Sequence, residues 1–172
     1  MSSKKPTSTT LDVIPDPSLF GKLGARSKAL PNVVTELVDN SLDSWTLMPS
    51  SVKRGKTLEV RILAGSVEGS PFTVTDNAGG MTLAELQGAM TIAKSDKGAI
   101  GEKTDKKLLG FYGFGLKSAA MFIGDEFSIY TQSYKEPKTI YYVDFHREKF
   151  ESANKDTRWK LEFKSMSADQ AA

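Results

Sequence analysis

The stretch from Pro31 to Trp45 constrains the fold of this chain most strongly, because its apolar residues recur with the spacing of an α-helix. One side of that predicted helix gathers Val34, Leu37, Val38, Ser41, Leu42 and Trp45. Glu36, Asn40 and Asp43 fall on roughly the opposite side, since they stand at positions i, i+4 and i+7. A polar stripe that faces solvent is one interpretation. This carboxylate, amide and carboxylate would also suit a site that orients a water molecule and holds a hard cation.

Composition excludes several classes of function. A length of 172 residues, 39% of them hydrophobic and 26% charged, predicts one α/β or α+β domain with a real core. The net charge of +2 favours neither nucleic acid nor membrane. The lack of cysteine excludes thiolate catalysis and cysteine-ligated zinc. The single histidine, His146, excludes a multi-histidine metal site, and because it lies in a strand-like run we expect no histidine-based triad either. With no long apolar run and no secretory signal, we expect a cytoplasmic protein, or a nuclear one in a eukaryote, without membrane contact.

The chain divides into three segments. Residues 1–17, rich in Ser, Thr, Lys and Pro, are predicted to be a flexible arm, residues 18–166 the folded domain, and residues 167–172 a disordered tail. Inside the domain, the charged segment at about 94–109 has no apolar periodicity, and we expect it to be a lid over a site.

Hydrophobic spacing also predicts the elements of the domain. The predicted strands are Leu58–Ala64, Phe72–Thr75, Phe127–Thr131, Thr139–Phe145 and Arg158–Phe163. Thr82 and Glu85 form a capping box for a helix through about Ile92, and a further helix is predicted at Leu116–Ile123. This order predicts an α+β two-layer sandwich, in which helices lie on one face of a mixed, mostly antiparallel sheet.

A second notable stretch is Asp76–Met81, DNAGGM, which follows a predicted strand. Strand alternation places Phe72, Val74 and Asp76 on one face, so the carboxylate is expected to point where the apolar side chains point. A carboxylate at the edge of a core needs a donor, and the exocyclic amine of a purine, with water, would supply one. The glycines would let the backbone approach a flat ligand closely. An ordinary Asp-Asn turn at the end of a strand is the alternative.

The third stretch, Leu108–Ala120, is rich in glycine and leads into a predicted helix. Successive N–H groups, the N-terminus of that helix and the charge of Lys117 would together form an anion site suited to a di- or triphosphate. It is not a Walker A loop, because Leu116 stands between the last glycine and Lys117. A glycine-rich turn without a ligand is the alternative.

In this order and at these separations, the three stretches resemble the GHKL superfamily, which includes DNA gyrase, the ninety-kilodalton heat-shock chaperones, sensor histidine kinases and MutL. ELVDNSLD resembles the N box, DNAGGM the first glycine box and GFYGFGLKS the second, and the resemblance covers roughly Pro31 to Ile123. Within the superfamily, the lid segment SDKG and the sequence YGFGLKS are most similar to the microrchidia (MORC) ATPases and their bacterial relatives. The resemblance implies the Bergerat ATP-binding fold.

The resemblance implies a role for each matching residue. It makes Glu36 the general base that activates water and Asn40 the ligand of Mg²⁺, while Asp43 supports the first glycine box or the waters beside adenine. It makes Asp76 the carboxylate that recognises adenine. It makes Gly80 and Met81 the residues that pack against the adenine ring. The implied phosphate-binding residues are Gly113, Phe114, Gly115, Leu116 and Lys117, and the implied lid residues are Ser95 and Lys97.

Three departures from the family pattern stand out. The first glycine box normally reads Asp-x-Gly-x-Gly, but Ala78 stands at its first glycine, and an extra glycine follows at Gly79. The Gly-Thr pair that usually follows is not evident, and Thr157 is only a weak candidate. The chain also ends soon after the last predicted strand, so we expect the transducer-type domain that supplies a catalytic Lys or Arg to be absent.

The implied function is Mg²⁺-dependent binding and hydrolysis of ATP, which drives dimerisation or clamp closure of a larger protein. The implied partners are ATP and ADP, a second copy of the full-length protein, and nucleic acid through other domains. A kinase ATP-binding domain is one alternative, although Glu36 disfavours it, because transfer of phosphate to histidine needs no activated water. A non-catalytic module that senses nucleotide is the other, and Ala78 favours it.

Overall fold

The computed structural model describes Lys22 and residues 29–67, 69–91, 115–153 and 160–170 of the chain. The helices in these residues are α1 (Leu30–Leu47), α2 (Ser50–Lys53), α3 (Leu83–Met90), α4 (Gly115–Ile123) and α5 (Arg147–Ser152). The strands are β1 (Val60–Leu63), β2 (Thr73–Asp76), β3 (Glu126–Gln132), β4 (Thr139–His146) and β5 (Phe163–Ser167). Helices together with antiparallel sheets confirm the predicted α+β class.

The strands form two antiparallel sheets. β1 pairs with β2, and β4 lies between β3 and β5. Every strand pairing in the described residues is antiparallel, in agreement with the mostly antiparallel arrangement that the sequence predicts. The two sheets approach each other where β2 and β3 end, because the N–H of Tyr134 donates to the carbonyl oxygen of Gly79 at 3.0 Å. This hydrogen bond fixes the DNAGGM turn beside the end of β3.

Helices α3, α4 and α5 pack on one face of the three-stranded sheet. Two apolar clusters fill the interface: Leu86, Met90 and Val143 in one, and Met121, Phe145 and Phe150 in the other. Val143 and Phe145 alternate along β4, which is how a strand presents one face to a core. On the opposite face, Tyr130 of β3 is 60% exposed. These residues therefore form two layers, as the sequence predicts.

The side of α1 that carries the polar stripe is partly or fully buried. Asp43 is 2% exposed and Glu36 and Asn40 are half-buried, whereas Leu42 is 39% exposed. The reason is that α1 packs along α4, with the side that carries Glu36 turned toward the start of α4. The interpretation of the stripe as a solvent-facing surface is therefore wrong.

Helix α3 begins at the predicted capping box. The N–H of Glu85 donates to Thr82 Oγ1 at 3.4 Å, and the N–H of Thr82 donates to Glu85 Oε2 at 2.8 Å. The predicted arm, 1–17, and the predicted lid, about 94–109, lie outside the described residues. None of the helices in the described part of the chain combines the length and the apolar character that a membrane span needs.

The C-terminal part of the domain differs from its prediction. β5 begins at Phe163, where the predicted strand Arg158–Phe163 ends. Within the predicted disordered tail, 167–172, a 3-10 turn spans Ala168–Gln170. The sequence does not predict α5, because a helix of six residues in which Phe150 alone is buried shows no apolar period.

Candidate functional site

Two serines of α1 hold the turn that follows β2. Ser41 is 3% exposed, and its Oγ donates to Asp76 Oδ2 at 2.8 Å. Ser44, less than one helical turn further along α1, accepts a hydrogen bond from the N–H of Gly79 on its Oγ, at 3.1 Å. Because residues i and i+3 share one side of a helix, a single face of α1 anchors both ends of this turn.

The carboxylate of Asp76 is held from two sides. Ser41 donates to Oδ2, and the N–H of Ala78 donates to Oδ1 at 2.9 Å. Asp76 itself is exposed, so its orientation is fixed while it remains reachable from solvent. Each carboxylate oxygen has a second lone pair, and the group can still accept a hydrogen bond from a ligand amine. Ala78 contributes through its backbone, which an alanine supplies as well as a glycine does.

Close contacts with neighbouring atoms explain why glycines stand at Gly79 and Gly80 of the turn. Gly80 has a φ of +61°, in the left-handed region that favours glycine, and a Cβ there would collide with the carbonyl oxygen of Gln132. A Cβ at Gly79 would lie 3.0 Å from Cγ of Met48, the residue that follows α1, so that position is also tight. The close packing of the turn between α1 and the end of β3 therefore explains both residues.

Asn77 anchors the turn to the chain before β1. Its Nδ2 donates to the carbonyl oxygen of Thr57 at 3.0 Å, and its Oδ1 accepts from the N–H of Glu59 at 2.8 Å. Its own N–H donates to the carbonyl oxygen of Glu59 at 3.3 Å. The sequence analysis did not find this role of Asn77, because its partners belong to another segment of the chain.

Glu36 of α1 and Gly115, the first residue of α4, are in direct contact. A Cβ on Gly115 would collide with Glu36 Oε2, so the lack of a side chain lets the carboxylate approach the N-terminus of α4. The first N–H groups of a helix have no partner within the helix, and together with the helix dipole they favour an anion. The fold thus brings the first and third stretches of the sequence analysis together.

Asn40 and Asp43 continue the row that begins with Glu36. Asn40 Nδ2 donates to the carbonyl oxygen of Glu36 at 2.9 Å, which orients the amide along the helix. Asp43 lies inside the protein, one turn further on. The predicted metal ligand and the predicted base therefore stand one turn apart on the side of α1 that faces the interior.

Lys117 is buried, and its ammonium is hydrogen-bonded to α3. Its side chain is 1% exposed, and Nζ donates to the carbonyl oxygen of Ala89 at 2.5 Å. Burial lowers the pKa of the Lys117 ammonium to about 8. The sequence predicts that Lys117 adds its charge to an anion site, whereas the structure gives this ammonium a partner in α3.

The remaining predicted site residues fall into two groups. Met81 donates its N–H to Thr131 Oγ1 at 2.7 Å and packs beside the cluster around Leu86, and Leu116 is half-buried in the first turn of α4. The predictions that lie outside the described residues are Ser95, Lys97, Gly113 and Phe114. The roles in ligand binding assigned to both groups stay predictions.

A family model described as "Histidine kinase-, DNA gyrase B-, and HSP90-like ATPase" matches residues 28–171. The chain belongs to this family, and membership in it implies binding of ATP by a GHKL-type domain. No curated protein sequence matches the chain. The narrower resemblance to the microrchidia ATPases stays a prediction.

Proposed function

We propose that this domain binds ATP together with Mg²⁺ and hydrolyses the ATP to ADP and phosphate. The contact between Glu36 and the start of α4 at Gly115 carries the proposal. It brings a carboxylate beside a helix N-terminus, where backbone N–H groups can hold phosphate. Family membership supports ATP as the nucleotide.

Asp76 would read the adenine ring. Its carboxylate is fixed by Ser41 and by the N–H of Ala78, and it would accept a hydrogen bond from the exocyclic amine of adenine. Guanine has a carbonyl oxygen in that position, and a carboxylate would repel it. Gly80 and Met81 follow in the chain and would pack against the ring.

In the proposed reaction, a water molecule attacks the γ-phosphorus, Glu36 accepts its proton, and the bond to the oxygen that bridges the β- and γ-phosphates breaks. The N–H groups in the first turn of α4 would stabilise the charge on the phosphate oxygens. They are fixed before the reaction, so no reorganisation is needed as that charge develops.

The side chains on α1 fit a magnesium ion. Mg²⁺ prefers oxygen ligands and usually takes only one or two from the protein, with phosphate oxygens and water completing the octahedron. The amide of Asn40 would hold the ion, one turn from Glu36 and on the same side of the helix. When bound, Mg²⁺ neutralises part of the charge on the phosphates.

Nucleotide binding would drive dimerisation or clamp closure of a larger protein, of the kind that the resemblance to the microrchidia ATPases implies. Two alternatives remain open to test: a kinase ATP-binding domain, and a non-catalytic module that senses nucleotide. The position of Glu36 favours hydrolysis over both, because neither alternative needs a water-activating carboxylate at the phosphate site.

The substitution Glu36→Ala tests the reaction. General-base catalysis typically contributes 10²–10⁴-fold, so we expect turnover to fall at least ~100-fold. The affinity for a non-hydrolysable ATP analogue should stay nearly unchanged, since the base acts on water. Phosphate release and calorimetric titration of the same preparation measure the two quantities.

Glu59→Ala provides the matched control, because Glu59 is an exposed carboxylate that pairs with Arg61 on β1. It should leave both quantities at the wild-type level. Equal loss of binding and turnover in Glu36→Ala would remove the assignment of Glu36 as the base. Saturable binding without any turnover in the wild type would favour the non-catalytic module.

A further inference from the structure

Lys117 is a buried cation whose position the proposed reaction does not explain. It lies in α4, two residues after Gly115, and is 1% exposed. Within the described residues, its ammonium has one hydrogen-bond acceptor, the carbonyl oxygen of Ala89. Burying a charged group costs free energy unless the group is hydrogen-bonded or paired with an opposite charge. The hydrogen-bond partner of Lys117 therefore indicates what the buried ammonium does.

That partner belongs to the C-terminal end of α3. The last carbonyl groups of a helix lack partners within the helix. The N–H of Thr91 donates to the carbonyl oxygens of Gln87 and Gly88, both at 3.1 Å. Thr91 Oγ1 also donates to the carbonyl oxygen of Gln87. The carbonyl oxygen of Ala89 receives Lys117 instead. The last turn of α3 contains no basic residue, so Lys117 supplies the positive charge that a helix C-terminus favours.

Helix α3, which accepts this hydrogen bond, is itself packed into the core. Leu86 and Met90 are buried against Val143 of β4. The capping box stabilises the N-terminal end of the helix. A bond from Lys117 to α3 therefore connects the first turn of α4 to the core of the domain. The same turn begins at Gly115, where Glu36 makes contact.

We propose that Lys117 is a positioning residue, which caps the C-terminus of α3 and thereby holds the first turn of α4 in place for the phosphates of the nucleotide. It acts through the helix and does not contact the phosphates itself. The proposal rests on the proposed function, since it concerns how the same site is held in place.

Binding measurements on Lys117→Met test the proposal, because methionine retains much of the apolar stem and loses the ammonium. We expect the affinity for a non-hydrolysable ATP analogue to fall about tenfold, as for loss of a hydrogen bond to a charged group. The affinity for adenosine, which has no phosphate, should stay within about twofold of wild type. Equal affinity of the variant and the wild type for the analogue would overturn the proposal, and so would an equal loss for adenosine.

Lys135→Met is the matched control. Lys135 also contacts α3, through Glu85 in its first turn at 2.7 Å, but it is exposed and binds the opposite end of α3 from Lys117. This variant should bind both ligands like the wild type. Hydrogen exchange without nucleotide gives a second readout. The amides of α4 should exchange faster in Lys117→Met than in the wild type, and at the wild-type rate in Lys135→Met. Unchanged exchange in Lys117→Met would overturn the link between the two helices.

Nuclear magnetic resonance of the wild-type protein, labelled at lysine Cε, separates positioning from direct contact and does not depend on the fold of any variant. The pKa of Lys117 should stay below the usual lysine value when the ATP analogue saturates the site. Bound phosphates near α4 would raise this pKa in part from a distance, whereas a rise above the usual lysine value would identify a direct phosphate contact and overturn the proposal. If the wild type binds neither adenosine nor the analogue, the proposed function fails, while hydrogen exchange still decides whether Lys117 holds α4.

Discussion

At the scale of single residues, the carboxylate of Asp76 shows how the candidate site is prepared for a ligand. A buried hydroxyl, Ser41, and a backbone N–H, that of Ala78, each donate to one of its oxygens. Hydrogen bonds to an ionised acceptor are stronger than those between neutral groups, so the carboxylate has one preferred orientation. A ligand amine would meet an acceptor that is already in place.

The substitution Ser41→Ala removes one of these donors. A hydrogen bond to a charged group contributes about 1.5–3 kcal/mol, so we expect the affinity for an adenine nucleotide to fall by about tenfold or more. Discrimination against a guanine nucleotide should weaken as well, because the carboxylate would no longer be held in one orientation. Competition titrations with the two nucleotides measure both effects.

Ser128→Ala is the control for that substitution. Ser128 Oγ donates to Asp144 Oδ1 at 2.6 Å, so the chain offers a second serine–aspartate hydrogen bond, on the exposed face of the sheet. If Ser41→Ala changed nucleotide affinity no more than Ser128→Ala does, Ser41 would have no part in recognition.

Sequence reasoning identified Asp76 and missed the residue that holds it. Asp76 ends a strand and precedes a glycine-rich turn, and both are local signals. Ser41 falls on the side of α1 that its apolar neighbours define, and nothing near it in sequence indicates a carboxylate partner. A hydrogen bond between a helix and a later strand depends on how the two pack, and one sequence does not show this.

At the scale of elements, the docking of α1 on α4 creates the arrangement that we propose for catalysis. The bounds of α1 and the start of α3 follow from apolar period and capping chemistry, so the sequence predicts them well. The side of α1 that is buried depends on its neighbour, so apolar spacing alone does not show that Leu42 is exposed and Asp43 is buried. The predicted position of β5 is wrong for a similar reason. Pairing with β4 decides which residues join the sheet, and the sequence of β5 alone does not show that pairing.

Gly115→Ala tests the docking. Alanine is a better helix former than glycine, by about 1 kcal/mol in a helix interior and by less at a first position, so helix propensity alone would not destabilise the protein. The added Cβ would displace the Glu36 carboxylate, and we therefore expect turnover to fall about 100-fold with the domain still folded. Phosphate release and thermal unfolding of the same sample measure the two effects.

Gly124→Ala, just beyond the other end of α4, is the matched control, because a Cβ there would make an ordinary contact of 3.5 Å with the carbonyl oxygen of Glu126. It should retain wild-type turnover. Normal turnover in Gly115→Ala would show that the position of Glu36 does not require a glycine at the start of α4.

At the scale of the whole molecule, the described residues form two layers, and the candidate site lies between α1, the turn after β2 and the start of α4. These three parts are the three stretches that stand out in the sequence. The resemblance of those stretches to the GHKL superfamily is confirmed by the family match.

The proposed link between nucleotide and dimerisation can be tested on this chain by light scattering. With Mg²⁺ and a non-hydrolysable ATP analogue, we expect the mass to double relative to the sample without nucleotide. Glu36→Ala, which should bind ATP without hydrolysing it, should show the same increase with ATP itself. An unchanged mass at a saturating concentration of the analogue would contradict nucleotide-driven dimerisation of this chain.

The most direct test of the central claim is a calorimetric titration of a non-hydrolysable ATP analogue, with Mg²⁺, into wild type, Glu36→Ala and Asp76→Asn. We expect the wild type and Glu36→Ala to bind with similar affinity. Asp76→Asn should show no measurable binding, because its amide places a donor toward the adenine amine. Binding by Asp76→Asn at wild-type affinity would contradict the account of this site, and so would the absence of binding in the wild type.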